Sequence, residues 1–179
     1  MTIFHPTEVD ARRRLWRLCA ARLPALAALL LSLLPAAPAA QAGTSECYSI
    51  RNTDRRNFCL AQGRGETSNC YAIQDMDQRN FCLATVKSER SHCYAIRESD
   101  LKNQCLALTQ RQSSGCYAIH EQDAKHACLA RERGDTSYCY AVREQDGRNF
   151  CLASVKGERS YCYGIRSQDL KNQCLALTR

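Results

Sequence analysis

Cys93-Tyr94-Ala95-Ile96-Arg97-Glu98-Ser99-Asp100-Leu101-Lys102-Asn103-Gln104-Cys105-Leu106-Ala107 is the stretch that decides the fold of this chain. Its pattern, C-Y-x-[IV]-x-x-x-D-x-[KR]-x-x-C-L-A, begins at Cys47, Cys70, Cys93, Cys116, Cys139 and Cys162, so everything from Cys47 onward is six copies of one 23-residue unit. A fixed period of this length marks a stack of small repeated units rather than a globule around one core.

Within the unit the spacing is helical. Cys93 and Ile96 share a face at i, i+3, which makes the first segment one short helix. A serine stands two residues before the first cysteine of every copy (Ser45, Ser68, Ser91, Ser114, Ser137, Ser160) and is expected to cap that helix. The repeated aspartate (Asp54, Asp77, Asp100, Asp123, Asp146, Asp169) is expected to cap a second helix. In the third copy Leu101, Cys105 and Leu108 fall at i, i+4, i+7, while Leu106 and Ala107 turn in a neighbouring direction. That pattern suits a helix packed between adjacent repeats, so the second helix is expected to be the inner one. Gly63, Gly65, Gly115, Gly134 and Gly157 lie between the second helix of one copy and the first helix of the next, where they read as helix stops and turns. The predicted fold is all-α: six short αα-hairpins stacked as a disulfide-stapled solenoid, a curved rod or small superhelix.

Neither helix is stable alone, since isolated helices under about 12 residues are marginal in water. One copy also offers too few apolar side chains to offset the entropy of ordering 23 residues. The cysteines are expected to supply the difference as disulfides. Pairing within each copy uses all twelve: Cys47 with Cys59, Cys70 with Cys82, Cys93 with Cys105, Cys116 with Cys128, Cys139 with Cys151 and Cys162 with Cys174. Pairing across the other loops, beginning with Cys59 and Cys70, strands Cys47 and Cys174. Each within-copy bond closes a short loop worth about 3 kcal/mol in the chain-entropy treatment.

Residues 1–42 have a different character. Arg12, Arg13, Arg14, Arg17 and Arg22 precede an apolar run from Leu23 to Leu34, and a small-residue segment ends in Ala40, Gln41, Ala42. This is the form of a cleavable secretory signal, with cleavage expected before Gly43, so that the membrane is met only transiently. The thirteenth cysteine, Cys19, leaves with that leader. Residues 43–179 form the six-repeat domain, with a 69-residue block (47–115) duplicated in 116–179; Leu101 to Leu108 recurs unchanged as Leu170 to Leu177. The leader holds five of the 25 basic and two of the 18 acidic residues, which leaves 20 against 16, a formal charge of +4 on the repeat domain. The charges are interspersed rather than blocked, and no nucleic-acid partner is expected.

Several positions could carry function. Tyr48, Tyr71, Tyr94, Tyr117, Tyr140 and Tyr163 form a row that either packs between repeats or stands exposed for partner binding, where rings can stack on sugars or side chains. The aspartate row is followed two residues later by Arg56, Arg79, Lys102, Lys125, Arg148 and Lys171, read as surface ion pairing. His120 and His126 flank Asp123 in the fourth copy only and are read as ordinary polar residues rather than as a metal or acid/base site. No CxxC, GxSxG, HExxH or phosphate-loop pattern occurs.

The hairpins resemble shortened tetratricopeptide or Sel1-like repeats, and disulfide-linked hairpins resemble the twin CX9C proteins. Because eleven and ten residues separate these cysteines and the period is 23, no activity or site is carried over from those families. The expectation is a secreted or periplasmic, non-enzymatic structural or protein-interaction module without metal or cofactor, whose partner is a protein or a cell-envelope component. Two alternatives are a glycan or cell-envelope binding module and a thiol-redox or metal-handling protein.

Overall fold

The computed structural model describes residues 43–178, so the leader, Cys19 and the cleavage position lie outside the described residues. The described chain is helical throughout, without strands, and alternates one-turn helices with long ones. The short helices are Ser45–Tyr48, Ser68–Tyr71, Arg90–Ala95, Ser114–Tyr117, Ser137–Tyr140 and Arg159–Gly164; the long ones are Thr53–Arg64, Met76–Lys87, Ser99–Gln110, Gln122–Arg133, Gln145–Lys156 and Gln168–Leu177. Each copy is thus a helical hairpin, as its period requires.

The stack closes on itself. Each long helix touches the next, and the last, Gln168–Leu177, touches the first, Thr53–Arg64. Each short helix packs on the long helix of its own copy and on that of the preceding copy; Ser45–Tyr48 finds its preceding partner in Gln168–Leu177. The result is a ring with six long helices inside and six short ones outside. The short helices act as wedges. Each fills the outer groove between two neighbouring inner helices and has no counterpart on the inside, so every junction bends the stack the same way, and six bends complete a circle. An open stack of hairpins needs polar capping repeats at its ends. A ring has no ends to cap.

No single core exists. Six small clusters sit one at each junction, each built on a disulfide. Ala61 of copy 1 packs with Cys70, Ile73 and Cys82 of copy 2, Ala107 with Cys116, Ile119 and Cys128, and Ala176 of copy 6 with Cys47, Ile50 and Cys59 of copy 1. The last cluster closes the ring with the same residues as the others. The alanine of C-L-A is the face an inner helix turns toward the next wedge. Leu106 packs back on the cluster of the preceding junction, which contains Ala84, Cys93 and Ile96. This two-sided burial is the one anticipated for an inner helix lying between repeats.

The capping differs from expectation. The inner helices are capped two residues before the aspartate, by Asn52, Asp75, Glu98, Glu121, Glu144 and Ser167, whose side chains accept backbone N–H groups of the first turn. The aspartate falls inside the first turn and is free to look elsewhere. Ser45, Ser68, Ser114 and Ser137 likewise are not caps but the first residues of their helices, and the preceding Thr44, Thr67, Ser113 and Thr136 make no capping bond. In copies 3 and 6 the cap position moves to Glu89 and Glu158, Ser91 and Ser160 lie within the turn, and the turn is a 3-10 helix. This alternation every third copy is the structural trace of the 69-residue duplication.

Five inner helices end on a left-handed residue: Gly65, Ser88, Arg111, Gly134 and Gly157. Two of the five glycines do not mark stops. Gly63 lies within an inner helix and Gly115 within an outer one. At Gly115 a Cβ would come within 2.8 Å of the Asn103 carbonyl oxygen, so this wedge sits too close to its neighbour for any side chain.

Candidate functional site

Three features carry the chemistry of the ring: its junctions, its outer tyrosines and its lumen. At each junction the aspartate of one copy accepts two backbone N–H groups of the next. Asp54 takes Gln74 and Asp75, Asp77 takes Arg97 and Glu98, Asp100 takes His120 and Glu121, Asp123 takes Arg143 and Glu144, and Asp146 takes Arg166 and Ser167. Asp169 completes the cycle with Arg51 and Asn52, both at 3.0 Å. In every case the second donor is the N-cap of the next inner helix. Each aspartate therefore fixes the residue that starts the helix bearing the next aspartate.

Those backbone donors hold the carboxyls of Asp77, Asp123, Asp146 and Asp169 below the usual carboxylate range. Asp100 is lowered to about 2, by the N–H groups of His120 and Glu121 and then by the His120 ring. The cations two residues after the aspartate do not pair with it. Arg56, Arg79 and Arg148 instead donate to the carbonyl oxygens of Ile50, Ile73 and Val142, the buried residues of their own outer segments.

A second bridge uses the residue after those cations. The side chains of Asn57, Asn103, Asn149 and Asn172 donate to the carbonyls of Ala72, Ala118, Gly164 and Ser49 in the following copy. In copy 4 this place is held by His126, whose Nδ1 is buried without a partner. The two histidines serve different junctions: His120 Nδ1 lies 2.9 Å from Asp100 Oδ1, whereas His126 sits in the asparagine position facing copy 5. Among the described residues no group of three or more His, Cys, Asp or Glu side chains is placed to hold a metal ion.

The twelve repeat cysteines lie in six pairs, Cys47–Cys59, Cys70–Cys82, Cys93–Cys105, Cys116–Cys128, Cys139–Cys151 and Cys162–Cys174, with Cα atoms 5.5 or 5.6 Å apart. Each joins an outer helix to the inner helix of its own copy, and every one of these residues is buried. Closure makes Cys174 stand to Cys47 as Cys59 stands to Cys70, so the alternative pairing would strand no cysteine; but Cys47 and Cys174 lie in different junction clusters, and it is the facing of the two helices of each hairpin that selects the partners.

The six tyrosines do not pack between repeats. Tyr48, Tyr71, Tyr94, Tyr117, Tyr140 and Tyr163 are 53 to 65% exposed, and they ring the outside of the molecule at six equivalent positions. The adjacent cysteine and the isoleucine or valine two residues later take the buried face of the outer segment, which leaves the tyrosine outward. Cations from the last turn of the inner helices reach toward these rings. Arg64 donates to the Tyr48 hydroxyl and lies 5.9 Å from the ring centre. Arg133 repeats both contacts at Tyr117, in the copy related by the duplication, and also donates to the Tyr138 hydroxyl. Lys156 meets Tyr161, whose hydroxyl raises the lysine pKa above its ordinary value.

Inside the ring lies a cavity of about 770 Å³ bordered by residues of all six copies. Six helices packed about 9 Å apart form a hexagon whose radius equals that spacing, so side chains fill only part of the centre. The inward positions of each inner helix are the residues one, four and eight after the aspartate. The middle belt is Phe58, Phe81, Gln104, Ala127, Phe150 and Gln173, by copy. No repeat pattern singles these out, because they alternate among Phe, Gln and Ala from copy to copy and only closure turns them to a common space.

Compared with protein-family models, curated proteins and solved structures, the chain matches none. What the ring does must follow from its own geometry.

Proposed function

We propose that this is a secreted or periplasmic, non-enzymatic protein whose ring serves as a rigid structural or interaction module, contacting a protein or cell-envelope partner through its tyrosine rim. Six disulfides suit an oxidising compartment, and no described helix is long and apolar enough to cross a membrane. The observation that carries the reading is the exposure of all six tyrosines. Rings left more than half exposed gain only part of their burial energy in the free ring, whereas large amphipathic side chains on a pre-organised surface lose little entropy on binding. The cations beside Tyr48 and Tyr117 favour a second reading within the same surface, an anionic glycan of the envelope.

The test replaces the six tyrosines by serine. Surface changes of this kind leave Tm nearly unchanged, so loss of co-sedimentation with envelope material or of a crosslinked envelope protein supports the reading. Retention of both overturns it. Peptidoglycan and purified polysaccharide in parallel arms separate glycan from protein. Free-thiol titration of the native protein tests the redox or metal alternative: reactive thiols in number would favour it over a stapled module.

A further inference from the structure

We infer that the lumen of the ring is a binding site for a small, flat aromatic anion, distinct from the tyrosine rim. Copies three apart face each other across a six-membered ring. Phe81 of copy 2 therefore opposes Phe150 of copy 5, and Gln104 of copy 3 opposes Gln173 of copy 6; all four border the cavity. Phe58 stands next to Phe81 with ring centres 5.8 Å apart and planes tilted by 31°. Its opposite number is Ala127, which leaves that side of the belt open. The twofold symmetry inherited from the duplication is broken at this one pair.

The belt offers two carboxamide edges and aromatic surface that lies chiefly on the half-buried Phe58 and Phe150, since Phe81 is 8% exposed within its junction cluster. A flat apolar body lodged against Phe58 and Phe150 would stack on rings, while polar groups at its rim would meet carboxamides that both donate and accept. The volume lies within the range of small-molecule pockets, about 300–1,000 Å³.

Charge selects the sign of the ligand. Arg55, one turn before Phe58, borders the cavity at the end where the inner helices start, and Arg131 borders it from the opposite wall near the end where they stop. Neither guanidinium has an ion pair within 4 Å or a side-chain hydrogen bond among the described residues, although Asp169 lies within electrostatic reach of Arg55 and Glu132 of Arg131. Of the carboxylates bordering the space, Asp54 is engaged by the N–H groups of Gln74 and Asp75. Glu132, at the far mouth, has its pKa raised by burial against the opposing pull of Arg131 and Arg111, which outnumber it there. The inner helices all run in one direction, so their positive ends converge on the Arg55 mouth and favour an anion there.

Titration calorimetry of the oxidised protein with naphthoate, and with the uncharged naphthyl methanol as control, tests this. Saturable binding of one naphthoate per ring is expected, at least about tenfold tighter than the alcohol. Arg55→Gln, an exposed change, should weaken naphthoate about fivefold or more and leave the alcohol unaffected. Phe150→Leu should weaken both, with Tm and near-ultraviolet dichroism checking that the ring persists. Tyr117→Ser at the rim should change neither, which keeps this site separable from the rim. No saturable binding up to about 1 mM, equal affinity for the two probes, or an unchanged naphthoate affinity in Arg55→Gln would each overturn the assignment.

Discussion

Asp169, in the last copy, accepts a 3.0 Å hydrogen bond from the backbone N–H of Asn52, in the first, across 117 residues of sequence. The same bond joins Asp77 to Glu98 and Asp123 to Glu144 between consecutive copies. The first and last copies are thus neighbours of the ordinary kind. The cycle makes each repeat depend on two others, with no frayed terminal unit from which unfolding can begin.

Closure gives a direct comparison. In an open stack Asp169 would not reach copy 1 and Asp169→Ala would remove neither bond to Arg51 and Asn52; in the ring it removes two bonds equivalent to those lost in Asp77→Ala. The two variants are expected to lower Tm to a similar extent. Thermal melts followed by circular dichroism decide it, and an unchanged Tm for Asp169→Ala alone would count against closure.

Acid should loosen the junctions while leaving the disulfide staples intact. The carboxyls of Asp77, Asp100, Asp123, Asp146 and Asp169 lie below the unfolded value of about 3.9. Groups shifted downward contribute stability that is complete above the unfolded pKa and is lost as pH falls through the folded one. Tm should therefore hold steady above about pH 5 and decline toward pH 2, with Asp100→Asn flattening part of the decline. Melts across that range measure it.

Replacing Cys93 and Cys105 together by serine opens one loop whose ends are twelve residues apart. The expected cost is about 3 kcal/mol, and full reduction should abolish most helical signal, since no cluster of the ring is large enough to fold without its cystine. Reductant titration followed by far-ultraviolet dichroism reads both effects.

The alanine of C-L-A sets the thickness of each junction. Ala84 is fully buried against Cys93, Ile96 and Cys105, so Ala84→Leu must push the wedge outward. A loss of about 1–3 kcal/mol is expected, measured by chemical denaturation. Ala72→Leu, at an exposed position of an outer segment, serves as the control and should be close to neutral.

Much of the hairpin can be read from any single copy. The spacing of Cys93, Ile96, Cys105 and Ala107 encodes two helices and their buried faces, because helical periodicity depends only on near neighbours. The partners of the cysteines follow from the same short range. Even there one inference had a false support: stranding of Cys47 and Cys174 assumes free ends, and the ring has none. The type and place of the aspartate suit a cap, but Asn52, Asp75 and their equivalents, two residues earlier, are equally able to cap. Only a following copy in position shows which side chain the next N–H groups require.

The sequence by itself determined the repeat, the hairpin, the within-copy staple and the identity of the six tyrosines. Tertiary structure decided that the stack closes, that the tyrosines face outward and that Phe81 and Phe150 border a common lumen. The physical reason lies in scale. A helix and a cystine loop are set by residues a few positions apart, whereas closure depends on a small bend at each junction, fixed by how Ala61 and its counterparts seat the next outer helix, and summed over six copies until Ala176 reaches Ile50.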